Sequence, residues 1–129
     1  MRSSASTSCR AAFRAASHGA RVALIGEGPL GGTCVNVGCV PKKAMWLVAE
    51  LAQKMVLARQ LGFAVPTSLP ALDWPTFIAH RQRYIVNIHA SYQQRLDAAG
   101  IAMLPSRGRL VAANTVECAD GVRVSASQI

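Results

Sequence analysis

Between Pro41 and Gly62 the apolar residues Ala44, Leu47, Val48, Leu51, Met55 and Ala58 recur at the spacing of one helical face, with Glu50, Lys54 and Arg59 mostly on the other side. The pattern predicts an amphipathic helix that Gly62 ends. Pro66 and Pro70 then mark a loop, and Asp73 followed by Pro75 is a start signal for a second helix. Its apolar face is predicted to include Phe77, Tyr84, Ile88, Tyr92 and Leu96, and Gly100 closes it. Upstream, Ala11 to His18 reads as a helix closed by Gly19, and Arg21 to Ile25 as a short buried parallel strand beside Gly26. Downstream, Ile101 to Leu104, Arg109 to Val111 and Val116 to Cys118 read as extended runs. The last turns at Ala119-Asp120-Gly121 into Val122 to Val124, a hairpin signal, and Ile129 reads as the start of a further strand.

A helix, a glycine and a short apolar strand make half of a βαβ unit. The fold class expected is therefore α/β: a partial Rossmann-like domain with a helical pair and a small β-meander. No repeat and no low-complexity linker divides residues 1–129, which read as one incomplete domain.

Composition changes this picture little. At 129 residues with 51% hydrophobic side chains the chain can build a core. Its longest apolar stretch, Ala44 to Ala49, stops at Glu50, far short of the roughly 18 residues that a spanning helix needs, so no membrane contact is expected. Fourteen Lys and Arg against six Asp and Glu give a net charge of +8, which allows an anionic partner. The basic residues are scattered, without the interleaved aromatics of a stacking platform, and nucleic acid is not expected as a partner.

The residues from Met1 to Ser17 are rich in Ser, Ala and Arg, and the first acidic residue is Glu27. Two readings fit: a mitochondrial-type transit segment, or the first helix of a dinucleotide fold whose entry loop is eroded. The second is preferred because the strand at Arg21 to Ile25 follows. Cytoplasmic localisation goes with it, and mitochondrial with the first.

Of four cysteines, Cys9 and Cys118 have no close partner in sequence, and His18, His80 and His89 are isolated, so no metal site is expected. Cys34 and Cys39 form a unit. They follow the pair Gly31-Gly32, which lets backbone approach a bound group. They precede Lys42 and Lys43, whose charge favours thiolate over thiol. A helix expected to begin here would add the positive end of its dipole. Five residues along one regular helix would turn the two side chains apart, so bringing them together requires a local distortion, which Gly38 makes cheaper. Taken alone the pair is also consistent with two unremarkable buried cysteines near a loop.

The whole string Gly31-Gly32-Thr33-Cys34-Val35-Asn36-Val37-Gly38-Cys39-Val40-Pro41-Lys42-Lys43 resembles the redox-active disulfide motif of the pyridine nucleotide–disulfide oxidoreductases. Val40-Pro41-Lys42-Lys43 with Met45-Trp46 is most similar to the branch that reduces glutathione disulfide. Trypanothione reductases and the larger thioredoxin reductases are nearer rivals than mercuric reductases. Leu72-Asp73-Trp74 through Tyr84-Ile85, and Ile88-His89-Ala90-Ser91-Tyr92, resemble the second long helix of bacterial members of that branch.

The resemblance implies FAD as cofactor, and NADPH, glutathione disulfide and a homodimeric assembly for the full-length enzyme. It implies that Cys34 is the thiol that exchanges with substrate and Cys39 the one that lies against the flavin. Lys42 is implied near the flavin's reactive nitrogen. Gly31, Gly32, Thr33 and Gly38 are implied beside FAD, and Arg107 and Gly108 where the backbone passes its adenine. Tyr92 is implied over the substrate, although a core position on its helix suits it nearly as well.

Three departures qualify this expectation. In the matching register the family's G-x-G-x-x-G falls on Ser3-Ser4-Ala5-Ser6-Thr7-Ser8, without a glycine. The acidic residue that holds the adenosine ribose falls on Gly26, and the adjacent Glu27 is the candidate to replace it. The family's NADPH and dimer-interface domains have no counterpart in residues 1–129. The isolated chain is accordingly expected to hold FAD weakly or not at all. A non-catalytic basic interaction module and an inactive truncated gene product remain alternative readings.

Overall fold

The computed structural model describes the backbone of residues 5–129 and side chains from Cys9 onward. Among the described residues four helices and five strands follow in the order α1 (Ala5–Ser17), β1 (Ala23–Ile25), α2 (Gly32–Asn36), α3 (Cys39–Gln60), α4 (Trp74–Ala98), β2 (Ala102–Leu104), β3 (Gly108–Ala112), β4 (Thr115–Cys118) and β5 (Arg123–Ser125). They fall into two compact units: one runs up to Gly32 and resumes from His89 to Ile129, the other is Thr33–Ile88.

In the first unit β1 and β2 pair in parallel, Ala23 opposite Ala102 and Ile25 opposite Leu104. Parallel neighbours need a long crossover, and here everything from α2 to α4 lies between them in sequence. α1 precedes β1, and its residues Cys9, Ala12, Phe13 and Ala16 recur at i, i+3, i+4 and i+7. Ala12, Leu96 and Ile101 form a buried cluster against which Phe13, Ala16, Val22, Leu24 and Leu30 pack. Arg95 carries its guanidinium 4.9 Å above the Phe13 ring, covering one side of that packing.

β3, β4 and β5 form the antiparallel meander, with an irregular register between Leu110 and Ala112. One carboxylate ties its three strands together: Glu117 on β4 accepts from Arg109 of β3 at 2.9 Å and from Arg123 of β5 at 2.8 Å. These are cross-strand pairs of opposite charge, the arrangement that favours this register.

Three long helices close in the same way. After α4, Gly100 N–H donates to the Asp97 carbonyl at 3.0 Å and Ile101 N–H to that of Leu96 at 3.0 Å, with Gly100 at φ 64°. This is the glycine-terminated stop expected from sequence. Gly19 and Gly62 end α1 and α3 with the same pair of bonds. At the other end of α4, Asp73 accepts from the Thr76 N–H at 3.2 Å and from its hydroxyl at 2.6 Å, as an N-cap should.

Several expectations require correction. α1 begins by Ala5, not near Ala11, because the Ser, Thr, Cys and Arg residues before Ala11 contain no glycine or proline to break it. The residues matching G-x-G-x-x-G are therefore helical from Ala5 onward, and Ser3 and Ser4 lie outside the described residues. α3 starts at Cys39, so Pro41 sits in its first turn, where a missing N–H costs nothing. On α4, Tyr84 is exposed and Ile85 is buried: two successive steps of four lead from Phe77 through the half-buried Arg81 to Ile85, and Ile88, Tyr92 and Leu96 continue that face. Leu47 and Leu51 on α3 are exposed at 57% and 59%. β1 is only partly buried, with one partner strand among the described residues and Ala23 exposed. Residues 126–129 form no strand.

Candidate active site

The two cysteines flank a break between helices. α2 ends at Asn36, Val37 N–H closes back on the Thr33 carbonyl at 3.0 Å, and α3 starts at Cys39. The chain thus reverses onto its previous turn between the two sulfurs. Gly38 makes this possible: a Cβ there would stand 2.8 Å from the Thr33 carbonyl oxygen and 3.1 Å from the Cys34 Cα, closer than side chains tolerate. The Gly38 carbonyl then accepts from the Lys42 N–H at 3.1 Å, joining the first bonds of α3. The distortion expected from the five-residue spacing is present, and its cause is a steric approach of backbone to backbone.

Cys34 is half-buried, Cys39 is exposed, and both are free thiols joined by a side-chain hydrogen bond. That bond from Cys39, partial burial and the charge of Cys39 push the Cys34 thiol up, against a backbone hydrogen bond from Cys39 and the charge of Lys43. Lys43 acts in the expected sense, but the net direction at Cys34 is upward, because a second sulfur in contact outweighs an ammonium on an exposed side chain. Of the two lysines it is Lys43, not Lys42, whose charge opposes the rise. The other two cysteines, Cys9 and Cys118, are buried at 1% and 4% exposure, and burial pushes Cys9 up as well. Neither offers an accessible nucleophile.

The remaining site residues lie in the first unit. Glu27 is exposed just past the end of β1, and Gly28 beside it leaves open space where a side chain would be. Gly108 packs so closely that a Cβ would lie 2.8 Å from Val116 Cγ1 and 3.1 Å from Ile25 Cγ2. Strand β3 therefore begins against the end of β1, which brings Arg107 and Gly108 to the neighbourhood of Glu27 across eighty residues of sequence. An open cleft of about 430 Å³ adjoins, lined by Arg107, Gly108, Arg109, Glu117, Cys118, Ala119 and Gly121. Gly31 and Gly32 both hold positive φ, 87° and 57°, and lead the chain into Thr33 and Cys34. Tyr92 is half-buried on α4, one turn before the fully buried Leu96, the placement a core residue would have.

Sequence reasoning found the thiol pair but not the tight approach of Gly38 to Thr33, nor the difference between the lysines. The spacing of Cys39 and Lys43, four apart on a helix, was the available signal. Among the described residues no cluster of His, Cys, Asp and Glu could hold a metal ion, and no helix is long and apolar enough to cross a membrane.

A helix–glycine–strand start, a parallel strand pair, an antiparallel meander and a thiol pair flanking a helix start make a mixed α/β domain of Rossmann-like type. The pyridine nucleotide-disulphide oxidoreductase family model matches residues 4–129, and the chain belongs to that family. Among curated proteins it is similar to the glutathione reductase of Schizosaccharomyces pombe, 45% identical over 107 residues that make up 81% of this chain and 23% of that protein. It is also similar to those of Yarrowia lipolytica, 44% identical over 70% of this chain and 20% of that protein, and Debaryomyces hansenii, 40% identical over 70% and 19%. The chain spans less than a quarter of the length of these relatives.

Proposed function

We propose that this chain carries the thiol pair and part of the FAD-binding surface of a reductase whose substrate is glutathione disulfide. The observation that carries the reading is the pairing of Cys34 and Cys39 across the break at Gly38, in a family member whose similar relatives bear the name glutathione reductase.

The exchange runs as follows. Cys34, having lost its proton to solvent, attacks one sulfur of glutathione disulfide; an S–S bond forms to Cys34 and the other glutathione leaves as thiolate, which takes up a proton. Cys39, deprotonated in turn, attacks the Cys34 sulfur and expels the second glutathione. Two protein thiols are oxidised to a disulfide as one substrate disulfide is reduced to two thiols. The exposed Cys39 and half-buried Cys34 are both open to such exchange.

The residues at the adenosine end suit FAD: exposed Glu27 beside the open space at Gly28, and Arg107 with Gly108 at the adjoining cleft. The turn that would cradle the pyrophosphate lacks its glycines. When bound, FAD would supply, at its flavin ring, the electron pair that returns the protein disulfide to two thiols. Lys42, exposed in the first turn of α3, would favour a reduced, anionic ring, Thr33 would contact it, and Tyr92 would border the substrate. NADPH and the dimeric assembly belong to the full-length enzyme.

The pre-reduced chain tests the thiol chemistry without flavin. In Cys39→Ser, mixing with glutathione disulfide is expected to leave one glutathione on Cys34 by peptide mass spectrometry. The unsubstituted chain should pass on to the Cys34–Cys39 disulfide and release two glutathiones. Glutathione distributed equally over Cys9, Cys34 and Cys118, or no Cys34–Cys39 disulfide, would reject the assignment.

A further inference from the structure

We propose that Asp120-Gly121, in the turn between β4 and β5, is a modification site at which aspartate converts to isoaspartate, gated by opening of that turn. Both residues are exposed. Asp120 Oδ1 accepts from the Val122 N–H at 3.1 Å, so the carboxyl is folded back along the turn instead of extending into solvent. Gly121 holds φ 85°, with open space where a side chain would stand, and no side chain on residue 121 hinders approach to that carboxyl. The Gly121 N–H donates to the Cys118 carbonyl at 2.9 Å, and the nitrogen is not free to attack while this bond holds. The bond sits where the fold is weakly held. Among the described residues β5 is the outer strand of its sheet and three residues long, tied to β4 at the surface by the Arg123–Glu117 ion pair at 2.8 Å. Short outer segments of this kind open locally at little cost.

The conversion needs no reagent but water. With the turn open, the Gly121 nitrogen attacks Cγ of the protonated Asp120 carboxyl. An N–Cγ bond forms, the amide proton and the carboxyl hydroxyl leave as water, and a cyclic imide results. Water then opens the ring: addition at Cγ restores aspartate, and addition at the α-carbonyl leaves a main chain that runs through the side-chain carbon. Nothing is oxidised or reduced, and the final mass equals the starting mass. The added main-chain carbon falls between Cys118 and Val122, whose N–H···O bond of 2.8 Å closes the hairpin, and it disturbs the opposition of Glu117 and Arg123. Glu117, Cys118, Ala119 and Gly121 line the cleft beside β3, so its shape changes with the turn whether or not it receives FAD. The other candidates serve as internal controls. Asp73 precedes the bulky Trp74 and caps α4, Asp97 lies within α4, and Asn36, Asn87 and Asn114 precede the β-branched Val37, Ile88 and Thr115, which crowd the attacking amide.

The test ages the full chain in mildly acidic buffer at physiological temperature. Isoaspartate is read at each peptide by a retention shift without mass change and by labelling with protein L-isoaspartate methyltransferase. Isoaspartate is expected at residue 120, severalfold above residues 73 and 97, and Asp120→Glu, which would need a larger and more slowly closing ring, should abolish it. The guanidinium-unfolded chain gives the ungated rate. Arg123→Gln, which removes one tie between β5 and β4, should raise the native rate severalfold towards it. Formation at residue 120 in the unfolded chain but not in the native one would overturn the proposal, as would equal formation at residues 73, 97 and 120. A rate unmoved by Arg123→Gln would overturn the gating by the turn.

Discussion

A Cβ on residue 38 would sit 2.8 Å from the Thr33 carbonyl oxygen, and that oxygen is already fixed by the Val37 N–H at 3.0 Å. Backbone cannot yield there as a flexible side chain would. Gly38→Ala is therefore expected to force α2 and α3 apart, at a cost of about 1–3 kcal/mol, the range of an overpacked site. The more telling effect is chemical: the cysteines should lose their mutual hydrogen bond, and oxidation to an intramolecular disulfide should slow markedly. Air- or glutathione-driven oxidation followed by peptide mapping checks this; equal rates in both proteins would show that Gly38 is not what joins the pair. At this scale the two cysteines are legible in the sequence because their spacing and flanking glycines are unusual together. Their electrostatics are not: adjacency to Lys42 and Lys43 suggests a lowered thiol, while the contact between the sulfurs, which exists only after folding, reverses the direction at Cys34.

Elements were legible where a single residue decides their geometry. Glycine at the end of each long helix needs only its own freedom to adopt positive φ, and Asp73 needs only Thr76 three residues on. Faces and starts were less legible, since they depend on what an element meets. The choice of Ile85 over Tyr84 turns on one position of rotation, and the early start of α1 on the absence of any stop signal. The meander adds a charge-dependent tie that spacing alone does not reveal. Hydrogen bonds from Arg123, then from Arg109, hold the Glu117 carboxyl below its ordinary value of 4.5. A depressed carboxyl contributes stability that is complete above the unfolded-state value, declines as pH falls below it, and is gone once the folded-state value is passed. Amide exchange in β3–β5 should therefore accelerate selectively below about pH 4.5, beyond its intrinsic pH dependence. Glu117→Gln should remove that acid-dependent component; if it persists, other carboxyls are responsible.

For the whole molecule the decisive feature is how much apolar surface stays in water. On α3 and the loop after it, Trp46, Leu47, Leu51, Leu57, Leu61 and Phe63 are all at least half exposed. A fully buried side chain of this kind is worth roughly 1.5–3 kcal/mol, so leaving several uncovered forgoes an amount comparable to the whole stability of an ordinary domain, about 5–15 kcal/mol. The hydrophobic pattern predicted a helix with a sheltered face, and it was correct about the helix; shelter for Leu47 and Leu51 depends on surfaces that no local pattern encodes. The purified chain is expected to bind the dye ANS and to self-associate as its concentration rises. Charge and apolar surface predict opposite responses to salt. The +8 net charge keeps copies apart at low ionic strength, so salt that screens it, and sulfate that strengthens burial, should both promote association. Association through ion pairs would weaken instead. Because Leu47 and Leu51 are exposed, Leu47→Lys with Leu51→Lys should reduce both ANS binding and association while leaving thermal stability almost unchanged. Light scattering coupled to gel filtration reads the outcome. A chain that stays monomeric in sulfate and binds no dye would mean that this face is covered in solution, and the double substitution would then lower the melting temperature.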